Sequence, residues 1–115
     1  MTKKKVTAKV LSQKKIGPDI YDLWMSTELA ETARPGQFVC VYPKDKSALL
    51  GRPISICEVI PTESMMRLVY RKVGKGTSEF ATLNTGDTVE LLGNLGNGFR
   101  ADLAKGKKVF LIGGG

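Results

Sequence analysis

The sequence contains no histidine and only two cysteines in 115 residues. Without histidine there is no Ser-His-Asp or Cys-His catalysis, no histidine-ligated zinc or haem, and no histidine pH switch. Cys40 and Cys57 stand apart, with no C-x-x-C pair. Two thiols make at most one bridge and cannot hold an iron–sulfur cluster by themselves. Aromatics are sparse as well: four Phe, three Tyr and one Trp, none interleaved with the lysine clusters. That spacing argues against the stacking platform of an OB-type nucleic-acid-binding barrel. No apolar run approaches the ~20 residues of a membrane-spanning helix. The basic start, Met1 to Lys5, is not followed by the apolar stretch of a secretory signal. The expectation is a soluble chain in a reducing, cytoplasmic setting, with neither nucleic acid nor a membrane as partner.

What is present suits one domain. Hydrophobic residues make up 42% and charged residues 25%, proportions that give a core worth burying. Lysine and arginine total 18 against 11 acids, a net charge of +7. Lys3, Lys4, Lys5, Lys14 and Lys15 near the start, and Lys105, Lys107 and Lys108 near the end, read as solvated face and terminus charges. The positive balance also suits a phosphorylated ligand.

Hydrophobic alternation with period two recurs in short pieces, the signature of strands. Val6, Ala8 and Val10 give a first strand, and Tyr21, Leu23 and Met25 a second after the turn Gly17-Pro18-Asp19. Arg34-Pro35-Gly36 is the next turn, followed by strands over 37–42, 54–60, 65–73 and 88–92. Gly74-Lys75-Gly76 breaks the pattern, and Thr77 or Ser78 can cap a short helix over 78–83. Gly93, Gly96 and Gly98 then crowd one loop. The pattern predicts an all-β fold, a six-stranded antiparallel closed barrel with one short helix. The tail departs from it. Val109-Phe110-Leu111-Ile112 is continuously apolar and runs into Gly113-Gly114-Gly115, as the first strand and glycine turn of a parallel α/β domain do. The expected organisation is a barrel over 1–104, with 105–115 the start of a second domain.

Three segments can carry chemistry. Gly51-Arg52-Pro53-Ile54-Ser55 sets a planar guanidinium fork, suited to a phosphate or pyrophosphate, at the mouth of an apolar strand. The bland alternative is an edge strand with a surface arginine and a satisfied serine. Val69-Tyr70-Arg71-Lys72-Val73-Gly74-Lys75-Gly76-Thr77 leads from strand through a glycine loop to a helix start, a ready anion site. A loop that holds two glycines is the alternative there, and Gly-x-Gly alone is weak. Gly93-Asn94-Leu95-Gly96-Asn97-Gly98-Phe99 reads on spacing as irregular loop.

Taken together, these segments resemble the ferredoxin–NADP reductase superfamily, whose flavin-binding motif Arg-x-Tyr-Ser/Thr is similar to Arg52-Pro53-Ile54-Ser55. The Arg-Pro-Ile-Ser form, with the Tyr70-to-Thr77 and Leu92-to-Phe99 runs, resembles the electron-transfer subunits of NAD-dependent dihydroorotate dehydrogenases. Pro35-Gly36-Gln37-Phe38 and Val109 to Gly115 fit the same family, so the likeness spans essentially the whole chain.

The resemblance implies that the barrel is a Greek-key β-barrel, that Arg52 holds the pyrophosphate of FAD and that Ser55 hydrogen-bonds near flavin N5. Pro53 and Ile54 belong to the same motif. Ile54 stands where the superfamily has an aromatic, so an aliphatic contact is expected there. Val69, Tyr70 and Arg71 would line the cofactor, and Gly76 and Thr77 would bind pyrophosphate through backbone N–H groups. In that family NADH gives a hydride to FAD, and electrons pass through a [2Fe–2S] cluster to an FMN-containing dihydroorotate dehydrogenase catalytic subunit, in a heterotetramer. The residues for NAD and for the cluster are not in these 115, so an FAD module inactive with NADH by itself is expected. Another reductase of the superfamily, such as a sulfhydrogenase subunit, and a docking domain without flavin are the alternatives.

Overall fold

In the computed structural model, which describes residues 4–44 and 50–114, six strands run in sequence order. They are β1 (Lys4–Gly17), β2 (Ile20–Ser26), β3 (Phe38–Tyr42), β4 (Arg52–Ile60), β5 (Met65–Arg71) and β6 (Thr88–Leu95). They close in the order β1-β2-β5-β4-β3-β6, every pair antiparallel. Strands β3, β4 and β5 form a meander and β6 returns beside β3, which is Greek-key connectivity. The predicted all-β barrel with one short helix is borne out.

Alternation drives the closure. Ala8, Val10, Leu23, Met25, Val39, Val41, Met66, Leu68, Val89 and Leu91 point inward and are buried, while their neighbours along each strand face out. Each such aliphatic side chain contributes about 1.5–3 kcal/mol by leaving water. Leu29 and Ala30, in a 3-10 turn over Glu28–Glu31, pack at the end where β2 stops and β5 begins. Phe80, from the helix α1 (Lys75–Phe80), packs edge-on against Tyr70 near the opposite end.

Several boundaries differ from the sequence expectation. The first strand continues beyond Val10 to Gly17, because a bulge between Val10 and Ser12 shifts the register and hides the alternation. The last strand runs past Leu92 through Gly93 and Asn94, both buried, to Leu95. The helix spans 75–80 rather than 78–83. Gly74, in an extended conformation, occupies the cap position. Thr77 is the third helical residue, and its Oγ1 reaches back to accept the N–H groups of Val73 and Gly74, each at 2.9 Å. It thus forms one half of a capping box rather than the cap itself. Residues 107–114 join no sheet of the barrel and are exposed.

Candidate functional site

Strands β4 and β5 are hydrogen-bonded over only part of their length. The ladder runs from Ile60↔Met65 to Ile56↔Leu68, with a bulge between Ile56 and Glu58, and stops there. Beyond it, Arg52 to Ser55 pair only with β3 and Val69 to Arg71 only with β2. The two strands part, and the gap is a groove of about 360 Å³, within the size range of small-molecule sites.

That groove is lined by Arg52, Pro53, Ile54, Ser55, Val69, Tyr70, Arg71, Val73 and Thr77. Every residue predicted from sequence is there except Gly76, which sits directly behind Arg52. Val73, inside the Val69-to-Thr77 segment but not among the residues named for the cofactor, lines the groove too; an apolar residue just before the glycine loop was its signal. The walls are apolar (Pro53, Ile54, Val69, Val73), with two guanidinium groups, Arg52 and Arg71, among them. Backbone N–H and C=O groups along the parted edges have no cross-strand ladder partner over the gap, so polar ligand atoms can bond there.

Arg52 is half-buried and tethered: its Nη1 donates to the Leu50 carbonyl at 2.9 Å. Gly76 lies against its side chain, and Gly51, which precedes it in the chain, lies against Tyr42. A Cβ on Gly76 would lie 2.8 Å from Arg52 Nε, and one on Gly51 would lie 2.9 Å from Tyr42 Cε1. On the Gly76 side the Arg52 side chain therefore rests against backbone with no side chain in the way.

Tyr70 is predominantly a core residue. Its ring stacks on Tyr21 with centroids 5.6 Å apart, and its hydroxyl donates to Gln13 Oε1 at 2.6 Å. Burial, with the neighbouring Tyr21 adding to it, pushes the phenol pKa well up, so the ring stays neutral. Ile54 is buried in the core with only its edge towards the groove, whereas Ser55 is exposed on the outer face of β4. The Thr77 hydroxyl serves the turn, also donating to the Gly74 carbonyl at 3.2 Å.

No family model matches the chain. Among individual proteins, it is 42% identical over 110 residues to the electron transfer subunit of dihydroorotate dehydrogenase B (NAD(+)) from Streptococcus pneumoniae, covering 95% of this chain and 43% of that protein. The subunit of the same description from Enterococcus faecalis is 41% identical over 100% of this chain and 44% of its own length. Among solved structures, an NADH-dependent reduced ferredoxin-NADP oxidoreductase superposes with a TM-score of 0.75 and 32% identity, covering 81% of this chain and 35% of that one. A ferredoxin NADP+ reductase from Neisseria gonorrhoeae superposes with a TM-score of 0.65 at 21% identity, over 83% of this chain and 39% of that one, which speaks to the fold alone. The barrel is ferredoxin-reductase-like. Within that fold, the chain closely matches the dihydroorotate dehydrogenase B electron transfer subunit, as the motifs around Arg52 and Gly76 led one to expect. It spans less than half the length of these relatives.

Proposed function

We propose that this chain is the FAD-binding module of a dihydroorotate dehydrogenase-type electron-transfer subunit. It would relay electrons between NADH and an FMN-containing catalytic subunit. The observation that carries the reading is the groove in the β4–β5 gap, which gathers eight of the nine residues that the family resemblance names, two arginines among them. A flat apolar ring system with polar edges and a diphosphate tail is the chemistry that suits such a groove.

In this reading Arg52 clamps the pyrophosphate with charge-assisted bonds. Gly76 and Thr77 close the same end. Ser55 offers its hydroxyl near flavin N5. Pro53, Ile54, Val69 and Arg71 line the ring and its edges, and Tyr70 supports them from the core. When bound, FAD would supply the electron-transfer chemistry, and the residues of the chain would bind and orient it. The barrel would end at residue 104, and 105–114 would lead into a nicotinamide-binding module; their exposure outside the closed barrel supports this. The module would work in the cytoplasm, the setting that its sparse cysteines suggest. A second reading, the corresponding module of a ferredoxin–NADP oxidoreductase, draws on the 32% identity to such an enzyme. The two share the flavin and differ in the partner.

The test is titration of wild type and Arg52→Ala with FAD, followed by flavin fluorescence. Loss of the charge-assisted bonds should weaken binding by about 2 kcal/mol, roughly thirtyfold. Equal affinities would remove the assignment. Co-elution of the FAD-loaded chain with a dihydroorotate dehydrogenase catalytic subunit, and not with ferredoxin, separates the two readings.

A further inference from the structure

The side chain of Gln13 makes three hydrogen bonds, and all of them go to elements around the groove. Its Nε2 donates to the carbonyls of Phe80 at 2.9 Å and Leu83 at 3.1 Å, and its Oε1 accepts from the Tyr70 hydroxyl at 2.6 Å. Two of these partners belong to the end of α1 and the turn after it. The third is on β5, at the wall of the groove.

A helix of six residues is too short to persist alone, and its last carbonyls have no partners within the helix. The Phe80 carbonyl accepts the Leu83 N–H at 3.1 Å in the following turn, and Gln13 adds a second donor to it from a strand 67 residues away in sequence. About one turn from Phe80, on the same short helix, lies Gly76, the backbone against which Arg52 packs. Releasing the C-terminal end of α1 therefore releases the surface that holds the guanidinium. The ring of Tyr70, by contrast, stays stacked on Tyr21, which is not part of α1, whether or not its hydroxyl is paired.

We infer that Gln13 is a positioning residue for the diphosphate end of the groove: by capping α1 it sets the place of Gly76 and so of Arg52. This rests on the reading of the groove as a flavin site. It names the part of the ligand, the diphosphate rather than the ring, whose recognition depends on Gln13.

The experiment compares FAD with riboflavin, which has the same ring and no phosphate, on the full chain as wild type, Gln13→Leu and Gln13→Glu. The leucine removes all three bonds. The glutamate can still accept from Tyr70 but, as a carboxylate, donates to neither carbonyl. Both variants should bind FAD about tenfold more weakly while riboflavin affinity stays within about twofold. The ratio of the two affinities is the readout, because general loosening of the barrel lowers both together. Should Gln13→Leu fail to fold, Gln13→Glu carries the test. An unchanged ratio, an equal loss for both ligands, or full FAD affinity in Gln13→Glu would each overturn the inference. If wild type binds neither ligand, the flavin reading falls and this inference with it. If wild type prefers FAD and the variants keep that preference, only this inference fails.

Discussion

Gly76 and Arg52 are so close that no side chain fits between them: a Cβ on Gly76 would lie 2.8 Å from Arg52 Nε and 3.1 Å from its Cγ. Alanine is the better helix former by up to about 1 kcal/mol, so Gly76→Ala pulls two ways. Helix propensity favours it, and contact with Arg52 opposes it. The expected outcome is a melting temperature changed little and FAD affinity lowered roughly tenfold, less than for Arg52→Ala. Melting curves and flavin titrations on the same preparations check this; unchanged affinity would mean Arg52 has room to move without cost.

Ser55 lies exposed on β4, in register with Phe38 of β3, on the groove. One hydroxyl contributes a net hydrogen bond of about 1 kcal/mol among many contacts. Ser55→Ala should thus shift the midpoint potential of bound flavin while lowering affinity less than about tenfold. Spectroelectrochemical titration reads the potential. A large affinity loss with an unshifted potential would contradict the placement of this hydroxyl.

The strands with regular alternation, β2 and β5 above all, were legible from sequence because Leu23 and Met25, and Met66, Leu68 and Tyr70, put a buried residue at every second position. The second half of β1 was not, since the bulge after Val10 moves the pattern out of phase. Gly93 looked like loop for a different reason. It is glycine because β6 passes Val39 so closely that a Cβ would come within 2.8 Å of Val39 Cγ1. Arg52 to Ser55 were legible through their resemblance to a known motif, and the groove they share with Val69 to Arg71 required knowing where the β4–β5 ladder stops. Gln13 was beyond sequence reasoning: its partners lie 57, 67 and 70 residues away.

The raised pKa of Tyr70 gives a pH dependence with a definite sign. A phenol buried in its neutral form holds its proton more tightly folded than unfolded. Its contribution to stability is complete below the ordinary tyrosine value of about 10. It declines as pH rises above that value towards the displaced one, because the unfolded chain then loses the proton first. Tyr70→Phe should cost about 1 kcal/mol at neutral pH through the lost bond to Gln13, and should flatten the alkaline decline. Denaturant unfolding of both proteins between about pH 8 and pH 11 measures it. Identical alkaline slopes would show that this phenol does not ionise on unfolding.

Phe110, Leu111 and Ile112 are 91%, 94% and 94% exposed, beyond a barrel whose six strands already close on one another. Outside the parted ends of β4 and β5, the closed barrel leaves no free edge to which a further strand can pair, and residues 107–114 join no sheet. These side chains therefore bury nothing against the barrel, although together with Val109 they form four apolar residues in a row. Replacing Phe110, Leu111 and Ile112 by serine should leave barrel stability within about 0.5 kcal/mol, as for surface changes that touch nothing. The same change should reduce self-association, since a contiguous exposed apolar segment drives chains together. Denaturant unfolding gives the first quantity and sedimentation over a concentration series the second. A loss of several kcal/mol would show that the tail packs on the barrel in solution, and the boundary after residue 104 would then have to move.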